Sequence, residues 1–428
     1  MKNLKCVSYV TIALCLGVNH GFANTEQRIK NLEQEISDLK KLYSQNFAED
    51  SADSNSRRKI YDNKFNPSIG VVLNGEYAIY SEDEAEFSGF AVGEEGERGD
   101  EGFSIGETEL NFSSNIDDKF YGSVTAAIVY EDGSNIVELE EAYVKTTPGL
   151  GLPSGLSIKA GRALWTLGYL NEHHAHSDNF TDRPLPYRAY LNKGFNDDGA
   201  QISYLLPTDI YQEIGAGSFT GNDFPFAEGD GKGNYSLFYR IGSDIGQNHN
   251  WRLGFSTLKG EAKGNRTTNE DTVTFTGESD LYIADLKYNF APSGNAKNQL
   301  ITLQAEYFKR EEDGTYNDTN ASTGDVDVDN DSSGWYGQIV YKFKPQWRVG
   351  VRYSELESAD TPAGLSSSFL NADGFNPTSI STMVDWTNSE YSRFRIQFND
   401  NELSDGNTDE QYIFQYIVSF GAHTAHKF

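Results

Sequence analysis

Tyr412-Ile413-Phe414-Gln415-Tyr416-Ile417-Val418-Ser419-Phe420 decides the fold. Successive side chains of a strand point to opposite faces, so Tyr412, Phe414, Tyr416, Val418 and Phe420 share one apolar face. Phe120 to Tyr130 and Tyr235 to Ile241 repeat the alternation, and period 2 holds from Pro67 onward. The pattern predicts strands over 68–80, 103–113, 119–130, 136–146, 156–162, 199–205, 211–219, 234–243, 250–259, 279–290, 298–308, 334–343, 347–356, 380–386, 389–399 and 410–428. The stretch 380–386 is the weakest of these.

The connections alternate in length. Segments 114–118, 147–155, 206–210, 244–249, 291–297, 344–346 and 387–388 are short and rich in Pro, Gly, Asn and Asp. Between them lie mostly long polar segments: 81–102, 163–198, 220–233, 260–278, 309–333, 357–379 and 400–409. Short turn and long loop in alternation is the rhythm of an outer-membrane barrel, with turns in the periplasm and loops outside. Segment 131–135 is the exception, short where a long loop is due. The expected fold is all-β, a sixteen-stranded antiparallel transmembrane β-barrel over 67–428, because strands that begin and end in the periplasm must be even in number. Lipid admits only helices and closed barrels, since every backbone donor must be paired within the protein. A terminal aromatic, Phe428, in phase with the last strand predicts delivery by the outer-membrane barrel assembly machinery.

Composition agrees. The chain has 428 residues, 64 Asp plus Glu against 35 Lys plus Arg, and a net charge of -29, which disfavours any nucleic-acid partner. A mean hydropathy of -0.59 argues against a helical membrane protein. At 13% aromatic the chain is too rich in rings for disorder, while 37% hydrophobic is low for a packed core. A barrel around water would need little core.

Lys2, Lys5, the apolar run Val7 to Val18 and Gly21-Phe22-Ala23 read as a signal peptide over 1–23. Leu14 before Cys15 is too bulky for a lipoprotein site, and both cysteines, Cys6 and Cys15, fall in that leader, leaving no disulfide framework. Ile29, Leu32, Ile36, Leu39 and Tyr43 form an a/d seam, so 24–48 is expected to be a short periplasmic coiled-coil helix, or an amphipathic helix folded on its own domain. So short a seam takes its partners from an attached oligomer, expected to be a homotrimer. A polar linker follows over 49–66.

Two further patterns name a family. Val137-Glu138-Leu139-Glu140-Glu141-Ala142-Tyr143-Val144 with Ile158-Lys159-Ala160-Gly161-Arg162 resembles a strand pair of the phosphate-selective porin superfamily. Gly168 to His176, Asp182 to Leu191, Ser389 to Arg395 and Gly421 to Phe428 resemble zinc-regulated, TonB-dependent outer-membrane receptors. These segments cover about a quarter of the chain. The resemblance implies a link to zinc. No plug domain is present in the sequence, and sixteen strands are too few for a gated TonB-coupled transporter.

The histidines point the same way. His173, His174 and His176 sit near Glu172, Asp178 and Asp182, and His423 and His426 lie at the C-terminus. Imidazole with carboxylate is the usual zinc donor set and also suits nickel, copper or iron. In an extended segment His174 and His176 share a face and His173 points away; water-satisfied loop residues are the other reading. His423 and His426 fall on opposite faces unless the chain turns. The longest connection, 163–198, carries Trp165, Tyr169, Phe180, Tyr187 and Tyr190 and is expected either to enter the lumen as a constriction, with Arg162, Arg183 and Arg188 near the path, or to cap the barrel outside. Asp325, Asp327, Asp329 and Asp331 resemble the start of an EF-hand, but Asn330 replaces the required Gly and Tyr336 the closing Glu. Weak calcium binding, bridging to lipopolysaccharide, is one reading of that run and a solvated loop the other.

No Cys remains for nucleophilic catalysis, and no Gly-x-Ser-x-Gly, His-Glu-x-x-His or phosphate loop is present, so no enzyme is expected. The expected function is an outer-membrane porin-like channel for small solutes, biased to cations, with zinc or other divalent metals among them and no required cofactor. The alternatives are a non-conducting metal-binding receptor and an anion-selective, phosphate-type porin.

Overall fold

The computed structural model describes residues 67–421 apart from 84–86, 107, 132–133, 149, 227–232 and 267–272. The expected leader, coiled-coil helix and linker, together with His423, His426 and Phe428, lie outside the described residues.

Among the described residues the strands are β1 (Ser68–Tyr80), β2 in two segments (Gly102–Ile105 and Thr108–Asn115), β3 (Phe120–Glu131), β4 (Ser134–Thr146), β5 (Leu156–Leu164), β6 (Asn196–Leu205), β7 (Tyr211–Phe219) and β8 (Asn234–Ile245). They continue as β9 (His249–Asn265), β10 (Val273–Phe290), β11 (Leu300–Asp318), β12 (Asp325–Lys344), β13 (Trp347–Glu357), β14 (Thr378–Ser389), β15 (Ser392–Ser404) and β16 (Asn407–Gly421). Both segments of β2 pair with β1, so they are one interrupted strand and the barrel has sixteen. Each strand pairs antiparallel with its neighbour in sequence, and β1 closes the ring on β16 from Gly70 opposite Gly421 to Tyr80 opposite Gln411. Closure removes both sheet edges, which hydrocarbon would not tolerate. The weak stretch near 380 is a full strand, β14. No described helix is long and apolar enough to cross a membrane.

The alternation of β16 divides outside from inside. Tyr412, Phe414 and Tyr416 are exposed, whereas Ile413 and Gln415 between them, and Gln411 before them, are buried on the inward face. Register carries this face around the barrel: Trp347 stands opposite Trp386, Trp386 opposite Phe394, and Phe394 opposite Tyr416. All four are exposed, forming one row of rings across β13–β16 near the short-turn end. Such a row is where amphipathic rings settle at a membrane interface.

Two sequence expectations fail in the same region. Segments 260–278 and 309–333 are mostly strand, because β10, β11 and β12 run to 18, 19 and 20 residues. A membrane crossing needs only about 9–11 tilted residues, so these hairpins project beyond the lipid. Their outer faces meet water on both sides of the turn and are correspondingly polar, which made them read as loops. Asp325, Asp327, Asp329 and Asp331 occupy the exposed face of β12. Alternate residues of a strand stand about 6–7 Å apart, so the run is no ion-encircling loop. Asp325, Asp327 and Asp331 instead meet Asn317, Thr315 and Lys309.

The lumen differs from the expected water-filled bore. Trp165, Leu167, Tyr187, Tyr190 and Phe195 are buried with Leu258, Phe275, Ile283, Phe308 and Leu356 in one apolar cluster. These wall residues lie on inward faces. The barrel therefore has a packed core on the inside, supplied by a loop.

Candidate functional site

That loop runs between β5 and β6. Its central element is α1 (Leu185–Leu191), with every residue buried. Pro184 caps its start and Pro186 sits in the first turn, where no intrahelical N–H is needed. Asn192 ends it in the left-handed conformation and accepts from the Gly96 N–H at 2.7 Å, tying the loop to the connection between β1 and β2.

The loop is bonded to three sectors of the wall and so crosses the interior. At β9 and β11, Gly168 N–H donates to Ser256 Oγ at 2.9 Å and Tyr169 N–H to Glu306 at 2.8 Å. Glu306 also accepts from the hydroxyls of Tyr187 and Tyr336. At β13–β15, Arg352 meets the Asp182 carboxylate at 2.8 Å, and Arg393 and Arg395 both donate to the Asp178 carbonyl, at 3.1 and 2.7 Å. At β2–β4, His174 and His176 meet carboxylates of the wall. The expectation of an inserted loop, rather than an outer cap, holds in the geometry.

The third sector gathers the ionisable groups most tightly. Thr125 of β3 faces Glu141 and Ala126 faces Leu139, so Glu140 is the extra residue of a β-bulge. A bulge places two residues against one and re-aims a side chain. His174 consequently reaches both neighbours: Nε2 lies 3.0 Å from Glu141, and Nδ1 lies 3.5 Å from Glu140 and 3.3 Å from Glu109 of β2. His176 Nδ1 lies 2.7 Å from the same Glu109 oxygen. Burial alone would lower the His174 pKa, but the Glu109 charge and the hydrogen bonds to all three carboxylates raise it well above its ordinary value.

The other predicted site residues divide. His173 points away as expected, with its ring 5.0 Å from that of Tyr169, and burial pushes its pKa down to about 4. Glu172, Asp178 and Asp182 were expected beside the histidines; each is instead held by an arginine, Arg240, Arg183 and Arg352 respectively. Burial works against ionised Asp182, but the Arg352 and Arg188 charges with the hydrogen bonds from Gln397 and Arg352 together outweigh it and hold the carboxyl below its usual range. Arg183 and Arg188, expected beside an open path, are buried: Arg183 pairs with Asp178 at 2.7 Å, and Arg188 donates to the Gly96 carbonyl at 2.6 Å. A guanidinium facing backbone and carboxylate inside the loop is a fastening. Arg162, at the end of β5, pairs with Asp198 at 3.0 Å and keeps a partly exposed side chain.

Sequence reasoning passed over Glu109, Glu140, Glu141, Glu306, Arg352, Arg393 and Arg395 as site residues. One signal was present: Glu140 and Glu141 are adjacent charges in an alternating strand, so one must leave its phase. Arg393 and Arg395, two apart, face inward together.

The closed barrel topology is shared with known structures. The loop L8 deletion mutant of OmpT, an outer membrane protein of Vibrio cholerae, matches with a TM-score of 0.52 and 12% identity over 83% of this chain and 99% of that one. The fold is that of an outer-membrane porin-like barrel. The outer membrane channel DcaP of Acinetobacter baumannii matches this barrel at a TM-score of 0.51 and 11% identity, over 83% and 97% of the two chains. Salmonella typhi OmpF gives 0.51 and 14%, over 84% and 99%. The barrel is thus a protein of the outer membrane. An uncharacterized protein of Aquifex aeolicus (strain VF5) is 28% identical over 404 residues, which is 85% of this chain and 80% of that one. No protein-family model matches the chain.

Proposed function

We propose that the protein is a porin-like channel for small solutes, narrowed by the loop between β5 and β6 and biased to cations. The observation that carries this reading is the loop itself, bonded to three sectors of the inner wall in a closed barrel. On this reading the fastened loop sets the bore.

Cation bias is supported by where the charges stand. The exposed acids of β12 lie on hairpins beyond the lipid and raise the cation concentration at the outer mouth. The arginines of the inner wall are engaged: Arg348 with Asp385, Arg352 with Asp182, and Arg393 and Arg395 with the Asp178 carbonyl. Engaged guanidinium groups attract passing anions weakly. Zinc among the cargo is supported by the resemblance to zinc-regulated receptors. A homotrimer in lipid and lipopolysaccharide is supported by β2 and β4, where Phe103, Ile105 and Val137 are 88%, 70% and 72% exposed, beyond the rest of the belt.

An anion-selective reading keeps one observation in its favour, the partly exposed Arg162 and Arg252. Reversal potentials of the purified protein in a planar bilayer under a salt gradient distinguish the two. Cation-selective openings are expected; anion-selective current, or no openings at all, would contradict the proposal.

A further inference from the structure

We propose that Glu109, Glu140 and His174 form a binding site for a zinc-like divalent cation, which clips the inserted loop to β2 and β4. Glu141 and His176 orient its ligands. One ligand atom from each of the three residues lies within 4.8 Å of the others. The Nδ1 of His174 stands 3.3 Å from Glu109 and 3.5 Å from Glu140. Donors at bonding distance around tetrahedral zinc stand about 3.3–3.4 Å apart, so these two edges already have the required length.

The outer contacts are those a metal-bound histidine needs. With Nδ1 turned to the site, Nε2 of His174 meets the Glu141 carboxylate at 3.0 Å, which fixes the tautomer and makes the ring a better donor. His176 Nδ1, at 2.7 Å from the Glu109 ligand oxygen, is too close to be a second ligand beside it and instead fixes that carboxylate. The bulge at Glu140 brings both adjacent glutamates to one imidazole. Charge runs the same way, since three carboxylates face two imidazoles in a buried setting, and a divalent ion balances what the rings do not. An imidazole in the donor set selects zinc and its transition-metal neighbours over calcium and magnesium, which prefer oxygen alone.

The site has a consequence for the loop. His174 belongs to the loop, whereas Glu109 and Glu140 belong to the wall, so a shared ion closes a bond between them. It is a resident clip, separate from any cargo, and is testable whether or not the barrel conducts.

The test uses the full-length protein, folded in detergent, stripped by a chelator and titrated with zinc against a metal-indicator dye. One zinc per chain is expected. His174→Ala and Glu109→Gln are each expected to weaken binding at least tenfold, and Glu141→Gln by about tenfold. His173→Ala and the pair His423→Ala, His426→Ala are expected to leave it unchanged. Failure of the wild-type chain to bind, or binding that survives His174→Ala and Glu109→Gln, would overturn the site. Cobalt(II) added to the stripped wild type gives a reading that needs no variant. An intense visible spectrum of four-coordinate cobalt is expected, and the weak spectrum of the hydrated ion would count against the site.

Discussion

The hydroxyl of Tyr187, in the helix of the inserted loop, donates to the carboxylate of Glu306 on the wall at 2.9 Å. Glu306 thereby joins two parts of the loop, since its carboxylate also accepts from the backbone of Tyr169. Gly168 beside it has φ +64°, and an added Cβ would stand 2.2 Å from Glu306 and 2.7 Å from the Tyr187 hydroxyl. Removing one donor from a buried carboxylate costs about 1–3 kcal/mol. Tyr187→Phe is therefore expected to loosen the loop by that amount while the sixteen strands persist, and Gly168→Ala to do so more severely, through both backbone strain and crowding. Hydrogen exchange of backbone amides over 169–191 measures this; unchanged protection in both variants would show that Glu306 does not seat the loop.

Acid is expected to release the loop at the opposite wall. The folded-state pKa of Asp182 is depressed, chiefly by Arg352 acting against burial. A depressed carboxyl contributes stability that is fully present above its unfolded value, about 3.9, and lost as pH falls through the folded value. The Asp182 contribution should accordingly hold at neutral pH and fade below about pH 4. Asp182→Asn should remove the part of the acid-induced rise in loop exchange that belongs to this pair; an identical acid profile in that variant would exclude it.

Arg393 and Arg395 converge on the Asp178 carbonyl from one strand. Replacing both by Gln removes two positive charges from the inner wall and weakens the anchor. Conductance is expected to increase and the reversal potential to move further towards cations. A shift towards anions would contradict the assignment of these arginines to the wall of the path.

The position of the lipid belt has its own test. Ile339 is exposed on β12, on the same outward face as Trp335 and four positions further towards the short turn. Ile339→Arg is expected to cost about 2–4 kcal/mol if it lies near the midplane. Asp331→Arg on the same face, beyond the aromatic Trp335, is expected to cost far less. Unfolding in lipid vesicles compares them, and equal cost at the two sites would misplace the membrane band.

Much of the barrel was legible because one face of a strand in lipid must be apolar, which leaves a period of two in the sequence. The Tyr412 to Phe420 run showed it clearly, and β7 was read at its observed bounds, Tyr211–Phe219. Legibility failed where the outward face leaves the lipid and meets water. The outer halves of β10–β12 carry charges on the outside, so their period was hidden and they read as loops. The loop's own aromatics announced that it packs somewhere, and only the fold could show against what. His174 and His176 were visible as donors. Their partners were not, because Glu109 lies on another strand and Glu140 depends on a bulge that brings the neighbouring glutamates together. Arg183 and Arg188 misled for a related reason: carried by the inserted loop, they are spent on fastening it.

The central claim is that the loop between β5 and β6 sets the bore of an outer-membrane channel. Single-channel conductance in a planar bilayer, compared between the wild type and a chain lacking 170–182, tests it most directly. Discrete openings in the wild type and markedly larger ones after the deletion are predicted; equal conductance, or a wild-type barrel that never opens, would contradict the account.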